Sequence, residues 1–253
     1  MAQFNFIELL NEIKRVGSEV IFDFLCTFAR KIRHMRMTFK AALFDLDGVV
    51  FNTEPQYSEF WKRQFFEFYP QSTNLADEIK GQTLIQIYDK YFNGTLFSKR
   101  KIITDRLNAF EKQMKFEYVI GIEGFISELH NNNVDTAIVT SSNKDKMESV
   151  YKAHPEIKQL FDRILTAENF ERSKPDPDCY IKASQQFKCT NKECIVFEDS
   201  FNGLKSGRAA HMKVVGLATT NTVKDIQPYS DVVINNYLEI DYNKCLELLN
   251  STL

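Results

Sequence analysis

The chain has 253 residues, enough to bury a sizeable core in one large domain or two modest ones. It is 43% hydrophobic and 26% charged, as ordinary globular proteins are, and a formal net charge of −2 gives no global basic field, so nucleic acid is not an expected partner. Five cysteines (Cys26, Cys179, Cys189, Cys194 and Cys245) without a CxxC pair argue against a disulfide framework or a zinc site and fit a reducing cytoplasm.

In chain order, the first segment to stand apart is 1–36. Phe6, Leu9, Ile13, Val16, Val20, Phe24 and Phe28 recur at helical spacing, which predicts an amphipathic helix ending in the basic run Arg30, Lys31, Arg33 and Arg36. Glu12, Lys14, Arg15, Glu19 and Asp23 interrupt it, so it is not an integral membrane span, and it lacks the form of a signal peptide. Three readings stay open: it packs on the domain or a partner subunit, it lies on an anionic membrane surface, or translation starts at Met35 or Met37.

From Thr38 onward short apolar runs alternate with helical patterns. Strands are predicted at Ala41–Phe44, Thr136–Val139, Arg163–Leu165, Ile195–Phe197, Val214–Leu217 and Val232–Ile234. Each is a near-continuous apolar run, as strands covered on both faces of a parallel sheet require. Helices are predicted at Ile122–Asn131, Lys144–Lys152, Pro177–Phe187, Asn202–His211 and Thr222–Gln227. The alternation predicts a doubly wound α/β fold, a Rossmann-like core with a mostly parallel sheet. Residues 55–118 break the rhythm, with helical stretches at Tyr57–Phe68, Thr83–Tyr91 and Ser98–Lys115 and no convincing strand. The expected organisation is therefore a catalytic core at 37–54 and 119–253 with a helical insert at 55–118. Gly121 and Gly124 stand where the chain re-enters the sheet.

Polar residues follow several strands, where open α/β sheets bind ligands. Asp45 and Asp47 follow the first, Ser141 and Ser142 the second, Lys174 stands in "SKPDPD", and Glu198–Asp199 follows "CIVF". Each alone has a plain structural reading as a turn acid, a helix N-cap or a solvated lysine. Together they make chemical sense: clustered carboxylates need a hard cation such as Mg2+, and a lysine and a hydroxyl beside it would seat a phosphoryl group.

The ordered motifs "DLDGV", "VTSSN", "SKPDP" and "EDSFNGLKSGRAAHM" resemble those of the haloacid dehalogenase-like superfamily, in its beta-phosphoglucomutase-like phosphatase branch with a helical cap. The resemblance covers Thr38 to Glu239 and makes 55–118 the cap. It implies Asp45 as the nucleophile that forms an aspartyl-phosphate and Asp47 as the general acid/base. Leu46, Asp47, Ser141, Ser142 and Lys174 would surround the phosphoryl group. Asp45, the carbonyl of Asp47, Asp199 and, through water, Glu198 would hold Mg2+. Dehalogenases lack counterparts of Asp47, Glu198 and Asp199, so phosphoryl transfer is expected. Mutases carry a histidine where Tyr57 stands and an arginine where Leu84 stands, so the expectation is a phosphatase acting on a small phosphorylated metabolite, a sugar phosphate among the candidates. A phosphosugar mutase is the alternative, and a non-catalytic phospho-ligand-binding or regulatory module the third reading. His211 replaces a family glycine and is read as helix-end packing. Tyr57, Trp61, Lys80, Gln82 and Thr83 are candidates to face substrate, and a monomer or homodimer is expected.

Overall fold

In the computed structural model, which describes residues 37–80 and 82–251, strand β1 (Ala41–Phe44) is buried along its whole length. Its neighbours are β2 (Asp135–Val139) and β4 (Cys194–Glu198), both parallel to it, with Phe44 in register with Ile138 on one side and Phe197 on the other. Strands β3 (Arg163–Leu165), β5 (Lys213–Leu217) and β6 (Val232–Ile234) complete a six-stranded, all-parallel sheet of order β3-β2-β1-β4-β5-β6. This is a Rossmann-like α/β fold, with the strand order reversing between β1 and β4. The amphipathic helix expected over 1–36 lies outside the described residues.

Because side chains alternate along a strand, the continuous apolar runs feed two cores. On one face Leu43, Val139, Val196 and Val214 pack with Tyr180 and Leu204. On the other, Phe44 stacks on Phe197 at 4.6 Å and meets Phe125 and Tyr237. The covering helices are α5 (Ile122–Asn131), α6 (Lys144–Ala153), α8 (Asp178–Gln186), α9 (Phe201–Ala209) and α11 (Tyr242–Asn250), with short turns at α7 (Ile157–Leu160) and α10 (Val223–Ile226). α11 was not foreseen, although Asp241 caps it and Cys245 and Leu249 bury one face. His211 takes φ +58°, the left-handed conformation that glycine adopts without cost, which explains the residue expected there and fits a helix end.

Between β1 and α5 run α1 (Glu54–Phe68), α2 (Leu75–Glu78), α3 (Leu84–Tyr91) and α4 (Arg100–Glu111). The helix expected at Ser98–Lys115 is shorter, a 3-10 turn at Gly94–Lys99 leading into α4. These helices share an aromatic core: Phe65 lies 5.2 Å from Tyr91 and 5.9 Å from Phe92, both buried. The outgoing and returning connections lie side by side, with Asn52 N–H donating to the Glu117 carbonyl and Val119 N–H to that of Val50. Gly121, at φ +86°, starts α5, whereas Gly124 lies inside that helix, so only the first occupies a turn on re-entry.

Candidate active site

A parallel sheet delivers all its strand ends to one edge, and the charged residues gather there. Lys174, on the segment between β3 and α8, is buried and donates to Asp45 Oδ1 at 2.6 Å, Glu198 Oε1 at 2.6 Å and the Val139 carbonyl at 3.1 Å. Glu198 closes β4 without solvent exposure. Its Oε1 also accepts from the Tyr180 hydroxyl at 2.9 Å, while Oε2 takes the Asp199 and Ser200 N–H groups and the Ser200 hydroxyl. Asp199 accepts from Thr220. Two glycines make room for this acid pair. A Cβ on Gly48, at φ +74°, would stand 2.0 Å from Asp199 Oδ2, and one on Gly203 would stand 1.7 Å from Glu198 Oε1.

Burial governs the electrostatics. It pushes the Asp45 carboxyl up to about 7, with Lys174 pulling the other way and Glu198 and Asp47 adding to the rise. Asp199 is held well above the usual carboxylate range, first by burial and then by Glu198. For Lys174 burial opposes the charge, but Asp45 and Glu198 outweigh it, and its pKa lies well above that of a free lysine. Asp45, Glu198 and Asp199 each offer an oxygen within 4.8 Å of the others. An all-oxygen set of three acids, of which burial disfavours Asp45 and Asp199 as anions, suits a hard divalent cation, which would stabilise the charged forms of those two.

Asp47 faces another way. Its Oδ1 accepts from the Thr53 hydroxyl at 2.7 Å, and its Oδ2 from the Ser142 hydroxyl at 3.3 Å and from the Lys146 ammonium. Its carboxylate is not part of the acidic triad, so only its carbonyl remains for the metal role assigned to it.

Above these groups opens a cavity of about 520 Å³. Asp45, Asp47, Ser141, Ser142, Lys174 and Asp199 form its sheet-side wall, and Tyr57, Trp61, Lys80, Gln82, Thr83 and Leu84 line it from the helical segment. Leu46 is buried and does not line the cavity, and Glu198 stands behind Lys174 rather than on the wall. Sequence reasoning missed Lys146, Glu54 and Glu111. Burial pushes the Glu54 carboxyl up to about 7, with Asp47 adding to the rise, and burial also raises that of Glu111. The available signals were Asn143 as an N-cap, which puts Lys146 in the first turn of α6, and the acid at the start of α1.

A Rossmann-like sheet with clustered acids and a lysine at its carboxyl edge, roofed by helices, defines a phosphoryl-transfer class of hydrolase fold. The chain belongs to the haloacid dehalogenase-like hydrolase family, whose sequence profile matches residues 42–217. It is 26% identical to the bifunctional riboflavin kinase/FMN phosphatase of Arabidopsis thaliana, over 80% of this chain and 54% of that protein. It thus spans about half the length of that plant relative. It is also 26% identical to the validoxylamine A 7'-phosphate phosphatase of Streptomyces hygroscopicus subsp. limoneus, over 80% of this chain and 96% of the other. Among solved structures, a family IA, variant 3 hydrolase of Entamoeba histolytica superposes with a TM-score of 0.74 at 23% identity, covering 84% of this chain and all of that one. The beta-phosphoglucomutase of Clostridium difficile gives 0.69 at 18%, covering 84% of this chain and 98% of the other.

Proposed function

We propose that the chain is a Mg2+-dependent phosphatase that hydrolyses a small phosphorylated metabolite through an aspartyl-phosphate. The observation that carries this reading is the Lys174 ammonium bridging Asp45 and Glu198 at the floor of a cavity that also holds Asp47 and Ser141. The Asp45 carboxylate attacks phosphorus and the bond to the leaving oxygen breaks, with Asp47 supplying the proton. Asp47 then takes a proton from water as that water attacks the aspartyl-phosphate, releasing phosphate and restoring Asp45. Ser141, Ser142 and the N–H groups of Leu46 and Asp47 hold the phosphoryl oxygens, and Lys174 offsets their charge. Asp45, the Asp47 carbonyl and Asp199 would hold Mg2+, with Glu198 acting through water. The ion would supply charge neutralisation between nucleophile and phosphate.

Residues 55–118 serve as a cap over a core made of 37–54 and 119–253, excluding water and selecting the substrate. Hydrolysis is favoured over mutase chemistry because Leu84, an apolar residue on the cavity wall, offers no grip on a second phosphate. Among the described residues no helix is long and apolar enough to cross a membrane. A cytoplasmic monomer or homodimer fits the free thiols of Cys179, Cys189, Cys194 and Cys245. The test is phosphate release across a panel of phosphorylated metabolites, with Mg2+ or with chelator, for the parent chain and Asp45→Asn. Metal-dependent release lost in the variant supports the reading. Substantial metal-dependent release by Asp45→Asn overturns it.

A further inference from the structure

Lys146 takes no part in the steps above, yet it occupies a costly place. It stands three residues after the N-cap Asn143, whose side chain accepts its N–H at 3.0 Å, and its side chain is only 5% exposed. The ammonium pairs with Asp47 Oδ2 and lies 4.8 Å from the centroid of the Tyr57 ring. Tyr57 is itself fixed, its hydroxyl donating to Glu111 Oε1 at 2.8 Å. A line of contacts therefore runs from α4 and α1 through one ammonium to Asp47. A buried ion pair contributes little net stability, since desolvation offsets the attraction, so burial alone does not account for this lysine. A cation–π seat fixes where the ammonium sits, and the ammonium fixes one carboxylate oxygen while Thr53 fixes the other.

We propose that Lys146, seated on the Tyr57 ring, is a positioning residue that aims the Asp47 carboxylate at the leaving oxygen of the substrate. This rests on the acid/base reading of Asp47 given above. An alkyl leaving group needs the proton that Asp47 delivers, whereas p-nitrophenolate departs without one. Loss of aim therefore slows phosphoryl transfer from the first far more than from the second, while hydrolysis of the aspartyl-phosphate, which needs Asp47 for both, slows equally; kcat/KM, which reports the transfer step, carries the difference.

The experiment uses the full chain with Mg2+ and compares an alkyl phosphomonoester with p-nitrophenyl phosphate. In Lys146→Met, kcat/KM on the alkyl ester is expected to fall by about 30-fold or more, and kcat/KM on the aryl ester to fall at least several-fold less. Lys146→Arg restores much of the alkyl rate, because it returns a cation to the same seat. Equal losses of kcat/KM on both substrates, or no loss, overturns the proposal. If Lys146→Met does not fold, Tyr57→Leu carries the test: it must show the same bias toward the alkyl ester, at smaller size, and an unbiased loss overturns the proposal. Asp45→Asn separates this from failure of the underlying reading, since it must remove turnover of both esters whatever Lys146 does.

A different observation, at the opposite edge of the sheet, carries a second inference. Cys189 and Cys194 flank the turn into β4, and their sulfurs lie 3.2 Å apart. Cys194 is buried and Cys189 partly exposed. The turn is held by Thr190, whose N–H and hydroxyl both donate to Glu193 Oε2. We infer that these two thiols are a disulfide-forming pair toward small-molecule disulfides. The Cys189 thiolate attacks one sulfur of the oxidant and expels one thiolate. The Cys194 thiolate then attacks the mixed disulfide at the Cys189 sulfur and expels the second. The protein loses two protons and two electrons, and the oxidant becomes two thiols.

Full-length protein treated with oxidised glutathione should lose about 2 Da and two maleimide-reactive thiols, reversibly with dithiothreitol. Trypsin should then release the Cys189–Lys192 peptide linked to one beginning at Glu193. Unchanged mass, a persistent glutathione adduct, or a linkage to another cysteine overturns the inference. Cys189→Ser should abolish the linkage, and a linkage that survives it overturns the inference equally.

Discussion

At the carboxyl ends of β1 and β4 the sheet withdraws Asp45, Glu198 and Asp199 from water around a buried lysine, whereas before the amino ends of the same strands Lys40 and Glu193 meet at 2.8 Å in solvent. Both places pair lysine with carboxylate, yet the acids respond in opposite directions. Lys40, with help from Thr190, holds the Glu193 carboxyl down at about 2, while burial lifts that of Asp45 to about 7. The difference is access to water. For these two acids the partner charge outweighs desolvation in solvent and desolvation outweighs the partner at Asp45, whereas Lys174, facing two acids in the same interior, keeps its charge.

The largest expected effect on this contrast is chemical. Asp45→Asn should lower turnover on the order of 10³-fold or more, read by phosphate release, because no other group on the cavity floor replaces an activated carboxylate nucleophile. Next comes Lys174→Met, which strands Asp45 and Glu198 in the interior without their cation. Urea unfolding of the metal-free protein should show a loss of about 3–5 kcal/mol.

A smaller effect follows pH. Asp45 and Glu54 hold protons more tightly in the fold than in the unfolded chain, so folding takes up protons between their ordinary range and about 7. Stability of metal-free protein should therefore fall as pH rises through that window. Mg2+ should raise the melting temperature more at pH 8 than at pH 5, where protons compete for the same carboxylates. A flat profile would mean that the site is not desolvated.

The smallest effect belongs to the solvent-side pair. The Glu193 carboxyl is lowered, so its contribution is present above the ordinary glutamate range and lost as pH falls toward about 2. Glu193→Gln should shift the melting temperature by about 2 °C or less at pH 7 and flatten the acid limb of the stability profile.

What was legible in the sequence follows from the same physics. Strand ends are marked by an abrupt change from apolar to charged residues, so β1, β3 and β6 carry the predicted bounds, β2 and β5 start one residue earlier, and β4 is longer by one residue at each end. Asp45 and Asp199 stand at such boundaries, whereas Lys174 lies on the segment between β3 and α8 and was legible through "SKPDP"; the fold brings all three to one place. Lys146 was illegible because a lysine in the first turn of a helix ordinarily points to water. Here the Tyr57 ring and the Asp47 carboxylate hold it inward. Tyr180 was hidden for the opposite reason, reading as a core aromatic of α8 while its hydroxyl is spent on Glu198. The short helices α2 and α7 span four residues each, too few for periodicity to register.

The paired connections at 50–52 and 117–119 have a mechanical consequence. Hydrogen-bonded to one another, they form a double strap rather than two independent tethers, which would leave a hinge motion of the helical segment fewer directions than two separate tethers would. Thr53, the first residue past the outgoing strap, grips the Asp47 carboxylate. A rotation at the strap would therefore pull directly on that carboxylate.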